Sequence, residues 1–101
     1  MELAKVEGTV VATVKSDRLK GFKLMVLSLV KPDLTPTGGH LVAVDTVHAG
    51  VGDVVLAVRG SSARQTTTLE RVPADASIVA VVDTVVYKGK TVFERSAEES
   101  S

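Results

Sequence analysis

Apolar and polar residues alternate along Leu3–Lys15. Ala4, Val6, Gly8, Val10, Ala12 and Val14 fall on one side; Lys5, Glu7, Thr9, Thr13 and Lys15 fall on the other. A period of two predicts a half-buried strand, and Gly8 in its middle predicts a bulge or bend of the kind that curls a sheet into a barrel. A polar loop rich in cations follows at Ser16–Gly21. Lys23–Lys31 is apolar on both faces, and its short length and its stop at Pro32 favour a central strand over a helix. Pro32–Gly39 has the chemistry of a loop. His40–Val47 resumes as strand, and Ala49–Asp53 is a tight turn into a further strand, Val54–Val58, with Gly50 and Gly52 free to take positive φ.

Beyond that strand, Gly60-Ser61-Ser62-Ala63-Arg64 reads as a helix start, with Ser61 or Ser62 as N-cap. The helix is short, because Thr66-Thr67-Thr68 is poor helix material. Pro73–Ala76 is a second loop or turn. Ser77–Tyr87 is the most apolar strand of the chain, and Lys88-Gly89-Lys90 is a hairpin turn into Thr91–Glu94. Val-Asp-Thr-Val occurs at Val44–Val47 and again at Val82–Val85, but the flanks do not repeat. The expected fold is all-β with one short helix, a small closed OB-like Greek-key barrel over residues 1–95 followed by a polar tail at 96–101; a plain sandwich is the alternative.

Composition sharpens this picture. The chain has 101 residues, enough for one domain. Valine and threonine are abundant while aromatics are 3% (Phe22, Tyr87 and Phe93). β-branched side chains suit strands, but a core without large rings is thin, so association is expected to supply burial that the protomer lacks. Twelve basic residues balance twelve acidic ones, which removes the usual electrostatic footprint of a nucleic-acid or anionic-membrane binder. The absence of cysteine excludes disulfides, thiolate metal sites and cysteine nucleophiles. No secretory signal is visible after Met1, and no apolar run approaches the ~20 residues that span a bilayer.

Candidate chemistry is sparse. His40 and His48 lie eight residues apart on one predicted strand, about 26 Å if extended, too far to share a metal. Asp45 and Asp83 sit inside apolar strands, where aspartate is unusual. A buried acid–base dyad is one reading. The preferred one is structural: each carboxylate accepts backbone N–H groups at a strand end or pairs with an arginine across an interface. Asp53 belongs to the Gly50-Val51-Gly52-Asp53 turn, which lacks the rest of a phosphate loop. Ser61 lacks a nucleophile-elbow context and a placed base. An OB-like module for single-stranded nucleic acid is the competing function, but that activity wants stacking aromatics and a basic groove. The chain offers three aromatics and a local cluster, Lys15, Arg18, Lys20 and Lys23.

Taken in order, six segments resemble one known family. They are Gly8–Thr13, Leu19–Leu24, Ala43-Val44-Asp45, Gly50–Leu56, Gly60–Arg64 and Ile78–Asp83. Together they are similar to the bacterial microcompartment vertex family of EutN and CcmL, from about Met1 to Val86. The resemblance implies a small β-barrel forming homopentamers that plug the five-fold vertices of a polyhedral shell built mainly of hexameric tiles. It implies no enzymatic activity, no cofactor, and a place in a microcompartment within the cytoplasm. Where the family often has Gly-Ala-Gly, this chain has His48-Ala49-Gly50. Family C-terminal segments often reach the adjacent subunit, and the resemblance implies that role for Val92 and Phe93. On this reading Gly60, Ser61, Ser62, Ala63 and Arg64 form an assembly element. Gly60 turns the strand sharply, a serine caps the helix, and the Arg64 guanidinium binds a carboxylate or carbonyls across a subunit boundary. Asp45 and Asp83 are the further interface candidates.

Overall fold

The computed structural model describes residues 1–13, 22–59 and 76–95. Among the described residues seven strands are formed: β1 (Glu2–Val10), β2 (Lys23–Val30), β3 (Pro36–Asp45), β4 (Val54–Arg59), β5 (Ala76–Val81), β6 (Thr84–Tyr87) and β7 (Lys90–Glu94). Five of them close a barrel in the order β1-β2-β3-β5-β4, with β4 pairing back onto β1, while β6 and β7 form a separate two-stranded sheet. All barrel pairings are antiparallel except β3 with β5, where Val44 and Asp45 lie beside Ser77 and Ile78. Closure removes the unpaired edges that a small sheet would otherwise expose. The closed barrel is the expected architecture and not the sandwich. The expected short helix, its Ser61/Ser62 cap and the tail at 96–101 lie outside the described residues.

The interior is filled by small and mid-sized side chains. Ala4 and Val6 of β1, Met25 and Leu27 of β2, Ala43 of β3, Val55 and Ala57 of β4, and Ile78 of β5 are fully buried together. Val6 pairs with Leu27, which pairs on its other side with Leu41, so one apolar layer runs across three strands. Alternation in β1 holds up to Val6, with Ala4 and Val6 inside and Lys5 and Glu7 exposed. The register then shifts between Val6 and Gly8, the bulge that Gly8 predicted. An extra residue reverses the faces beyond it, so Gly8 and Val10 stand opposite the outward-facing Val26 and Leu24. The assignment of Gly8 and Val10 to the inner face with Ala4 and Val6 is therefore corrected.

Two strand boundaries also differ from expectation. β3 begins at Pro36, inside the expected loop, because a proline is tolerated at the first position of a strand and Gly38 takes φ 90° within it. The apolar run Ser77–Tyr87 is two strands. Val82 donates its N–H to the Val54 carbonyl (2.8 Å), and the chain leaves the barrel at Asp83.

The turn between β3 and β4 is set by Asp53. Its carboxylate accepts the Gly50 N–H (2.8 Å), its own N–H donates to the Gly50 carbonyl (3.0 Å), and its carbonyl accepts the Val6 N–H (2.9 Å). Gly52 takes φ 96°, and His48 takes φ 59°. The left-handed region suits glycine, and among the other residues histidine is one of the enriched types there. His48 thus occupies a left-handed position of the segment in which the resembling family often has its first glycine. At the far end of the chain, Lys88 (φ 53°) and Gly89 (φ 78°) are the two central residues of the β6–β7 turn, which joins the pair Tyr87 and Lys90. Two positive φ angles define the type I′ hairpin that matches strand twist.

The β1–β4 seam is clasped by Glu2 and Arg59. The Arg59 Nη2 donates to Glu2 Oε1 (2.6 Å), and Nε donates to Oε2. Hydrogen bonding from Arg59 lowers the Glu2 carboxyl below its ordinary 4.5. A lowered carboxyl contributes stability above its unfolded value, and that contribution is lost as pH falls through the folded value. Glu2→Gln should therefore melt earlier than the parent at neutral pH, by a small margin since the pair is partly exposed. The margin should shrink as pH drops below about 4.5; a margin unchanged with pH in thermal scans would mean that the pair contributes nothing.

Candidate assembly surface

Register places an apolar belt on the outside of the barrel. Val10 pairs with Leu24, Leu24 with Val44, Val44 with Ser77 and Ser77 with Val58, a single row crossing all five barrel strands. Met25, Ala43, Ala57 and Ile78, which neighbour this row along the strands, point into the core, so the row itself points outward. Val44 and Val58 are buried all the same, with Phe22, Leu24 and Val79 packed against them. Apolar residues on both faces explain why β2 carries no alternation. The Ser77 hydroxyl is buried in this row without a hydrogen-bond partner.

The same end of the barrel holds Asp45. It is the last residue of β3, only 6% exposed, and its Oδ1 accepts the Val47 N–H (3.0 Å). The neighbouring Thr46 hydroxyl donates to the Ile78 carbonyl (2.8 Å), one side-chain bond across the end of the parallel β3–β5 junction. A recess of about 170 Å³ beside it is lined by Phe22, Lys23, Asp45, Thr46 and His48. Residues 60–75, including Gly60, Ser61, Ser62, Ala63 and Arg64, lie outside the described residues. They are framed, however, by Arg59 and Ala76, which pair with each other next to the belt.

Asp83 does not match the expectation of a buried aspartate. It is exposed between β5 and β6, and its carbonyl accepts the Arg95 N–H (2.8 Å). Asp45 lies level with Ile78, and Asp83 is five residues further along, about 16 Å at strand rise. The two carboxylates form no dyad. His40 stands on β3 with its Nε2 3.2 Å from Glu7 Oε1, whereas His48 lies beyond the strand's end. Among the described residues no three metal-ligating side chains converge. Sequence reasoning missed the belt. Its signal was present in β2, which is apolar on both faces, but only the register joins Val10 and Val58 to it.

The described residues form a five-stranded closed barrel with an apolar row on its outer side, of which Val44 and Val58 are buried within the protomer. The chain belongs to the family described as ethanolamine utilisation protein EutN/carboxysome, whose profile matches residues 1–83. It is 48% identical over 85 residues to the bacterial microcompartment shell vertex protein GrpN of Rhodospirillum rubrum, covering 84% of this chain and 96% of that protein. The solved GrpN structure, described as a pentameric microcompartment shell protein, superposes with a TM-score of 0.77 at 46% identity, over 86% of this chain and 99% of that one. Gloeobacter violaceus CcmL superposes with a TM-score of 0.85 at 35% identity, over 94% of this chain and 98% of that one. The family consists of structural shell proteins and not enzymes.

Proposed function

We propose that this chain is a shell protein whose homopentamers cap the vertices of a bacterial microcompartment in the cytoplasm, each bordered by hexameric tiles. The observation that supports it most is the shared barrel with pentameric GrpN at 46% identity. The belt gives that ring a physical basis. A closed ring is built from one heterologous contact repeated by rotation, and Val10 and Leu24, the half-buried members of the row, are its apolar candidates, with Val44 and Val58 buried beneath. We assign Gly60–Arg64 to the same contact, because it follows Arg59, which pairs with Ala76 beside the row, with Arg64 as its charged anchor. Asp45 at the neighbouring barrel mouth is the acidic candidate. Asp83, exposed at the opposite end of β5, can meet a cation of a neighbour, but a solvated pair contributes little. Nucleic-acid binding has less support: of the three aromatics only Tyr87 is exposed, while Phe22 packs in the belt and Phe93 against the barrel.

Native mass spectrometry and light scattering should give about five times 10.6 kDa, with little monomer at micromolar concentration. A monodisperse monomer or dimer overturns the reading. Arg64→Ala should break the ring on dilution while circular dichroism stays unchanged, because the residue falls after β4, which ends at Arg59. A variant that remains fully pentameric removes Arg64 from the contact.

A further inference from the structure

The barrel closes at the β1–β4 seam, and the two ends of that seam are held differently. Glu2 and Arg59 clasp one end. At the other, the last ladder pair is Lys5 with Val54, and the β3–β4 turn carries the pairing one residue further. The Val6 N–H donates to the Asp53 carbonyl (2.9 Å) and the Gly52 N–H to the Val6 carbonyl (2.8 Å), just before the β1 bulge.

The β6–β7 hairpin is fastened at this second end. It leaves the barrel where the Val82 N–H donates to the Val54 carbonyl. Val54 precedes the inward Val55 and pairs with the exposed Lys5, so it faces outward, yet it is only 2% exposed. Phe93 of β7 and Leu34 of the β2–β3 loop line a cavity of about 170 Å³ with it. Leu34 takes φ 69° as the last residue of the loop Pro32-Asp33-Leu34, a position where glycine is the usual choice. A leucine there carries backbone strain, offset by the apolar side chain it brings to the cavity. Arg95 ties the end of β7 to the β3–β4 turn. Its N–H donates to the Asp83 carbonyl (2.8 Å), and its guanidinium lies 3.9 Å from the Asp53 carboxylate that accepts the Gly50 N–H. All these contacts are made within one chain and draw on no exposed surface.

We propose that the β6–β7 hairpin is a strap that keeps the β1–β4 seam of its own protomer shut. Phe93 is its apolar seat, and Arg95 is the positioning residue that holds the β3–β4 turn through Asp53. Opening the strap is a local event that precedes global unfolding, and it frees the edges of β1 and β4, which are templates for wrong pairing between chains. Phe93 is thereby committed to its own barrel, in place of the reach to an adjacent subunit that the resemblance implies for it. The strap stands whether or not the ring forms.

The test is amide hydrogen exchange on the full chain, read by NMR, with Phe93→Ala, Arg95→Gln and Arg95→Lys as variants. The Val6, Gly52 and Val82 amides should exchange about ten-fold faster in Phe93→Ala and Arg95→Gln, while the amides of β2 and β3 keep the parent's rates. Arg95→Lys, which keeps a charge facing Asp53, should restore most of the protection. Arg95→Gln leaves the apolar seat intact and decides the matter if Phe93→Ala does not fold. Parental rates in Arg95→Gln overturn the strap, and so does equal acceleration in β2 and β3, because the hairpin then supports the whole fold alike. Arg95→Lys behaving as Arg95→Gln removes Arg95 from the positioning role. In protein mixed from isotope-labelled and unlabelled chains, NOEs from Phe93 to Leu34 and Val54 should arise within single chains. The same NOEs between chains overturn the proposal by placing Phe93 on a neighbour.

Discussion

Leu27→Ala is expected to destabilise the protomer by about 2–5 kcal/mol, the usual cost of emptying a leucine site in a packed core. Leu27 is fully buried, and with Met25 and Ile78 it is among the largest side chains in the interior. Its neighbours across the sheet are Val6 and Leu41. Both are aliphatic, and the strands that carry them are held in a closed hydrogen-bonded cylinder, so the walls cannot collapse into the space. An aromatic-rich core has rings that swing into a void; none of the three aromatics here belongs to the inner cluster. A domain of this size has a total stability of about 5–15 kcal/mol, so the variant stands close to unfolding. Because only folded protomers enter a ring, it should also dissociate at higher concentration than the parent. Urea unfolding followed by circular dichroism measures the first effect and light scattering the second. A denaturation midpoint equal to the parent's would mean that the barrel repacks freely, contrary to the closed geometry.

Much of this molecule was legible before the structure because strands announce themselves locally. The alternation through Ala4, Lys5 and Val6, the stop at Pro32, the glycine-bearing turn before Val54 and the Lys88-Gly89 turn each depend on a few adjacent residues. What was not legible depends on pairing. The bulge after Val6 was foreseen, but the partner residues of Gly8 and Val10 decide which face they occupy, and those partners are on β2. Pro36–Gly39 has the composition of a loop and is a strand because β2 lies alongside it, with Val30 opposite Pro36. The run from Ile78 to Val86 carries one local hint of a break, Asp83, a residue depleted in strands, but apolar residues on both sides of it mask that hint. It breaks because the barrel is complete at Val81 and Val82, where β4 offers the last carbonyl, and the chain beyond must leave. Asp83 looked buried for the same reason: its sequence neighbours are apolar, but it sits at the exit. The outward belt needed all five registers at once, so no single strand could disclose it.

Asp45→Ala is expected to cost about 1–3 kcal/mol, because the part-buried Val47 N–H loses its acceptor. The carboxylate is nine-tenths buried and receives the Val47 N–H at 3.0 Å, directly after the parallel pairing of β3 with β5. That pairing is only two residues long, Val44 with Ser77 and Asp45 with Ile78, so the junction has few backbone bonds to spare. Asp45→Asn separates two roles that alanine confounds. Its amide oxygen can still accept the Val47 N–H, so the protomer should keep nearly the parent's melting temperature. What it lacks is the charge. If a cation of the neighbouring protomer rests against the recess beside Phe22 and His48, the neutral variant should fold normally yet dissociate at about ten-fold higher concentration, as a lost 1.4 kcal/mol implies. Thermal scans and dilution series on both variants decide the matter. An alanine variant that melts with the parent would show that the Val47 bond carries no stability. An asparagine variant whose ring is as tight as the parent's would confine Asp45 to its own protomer, as the acceptor of the Val47 N–H and nothing more.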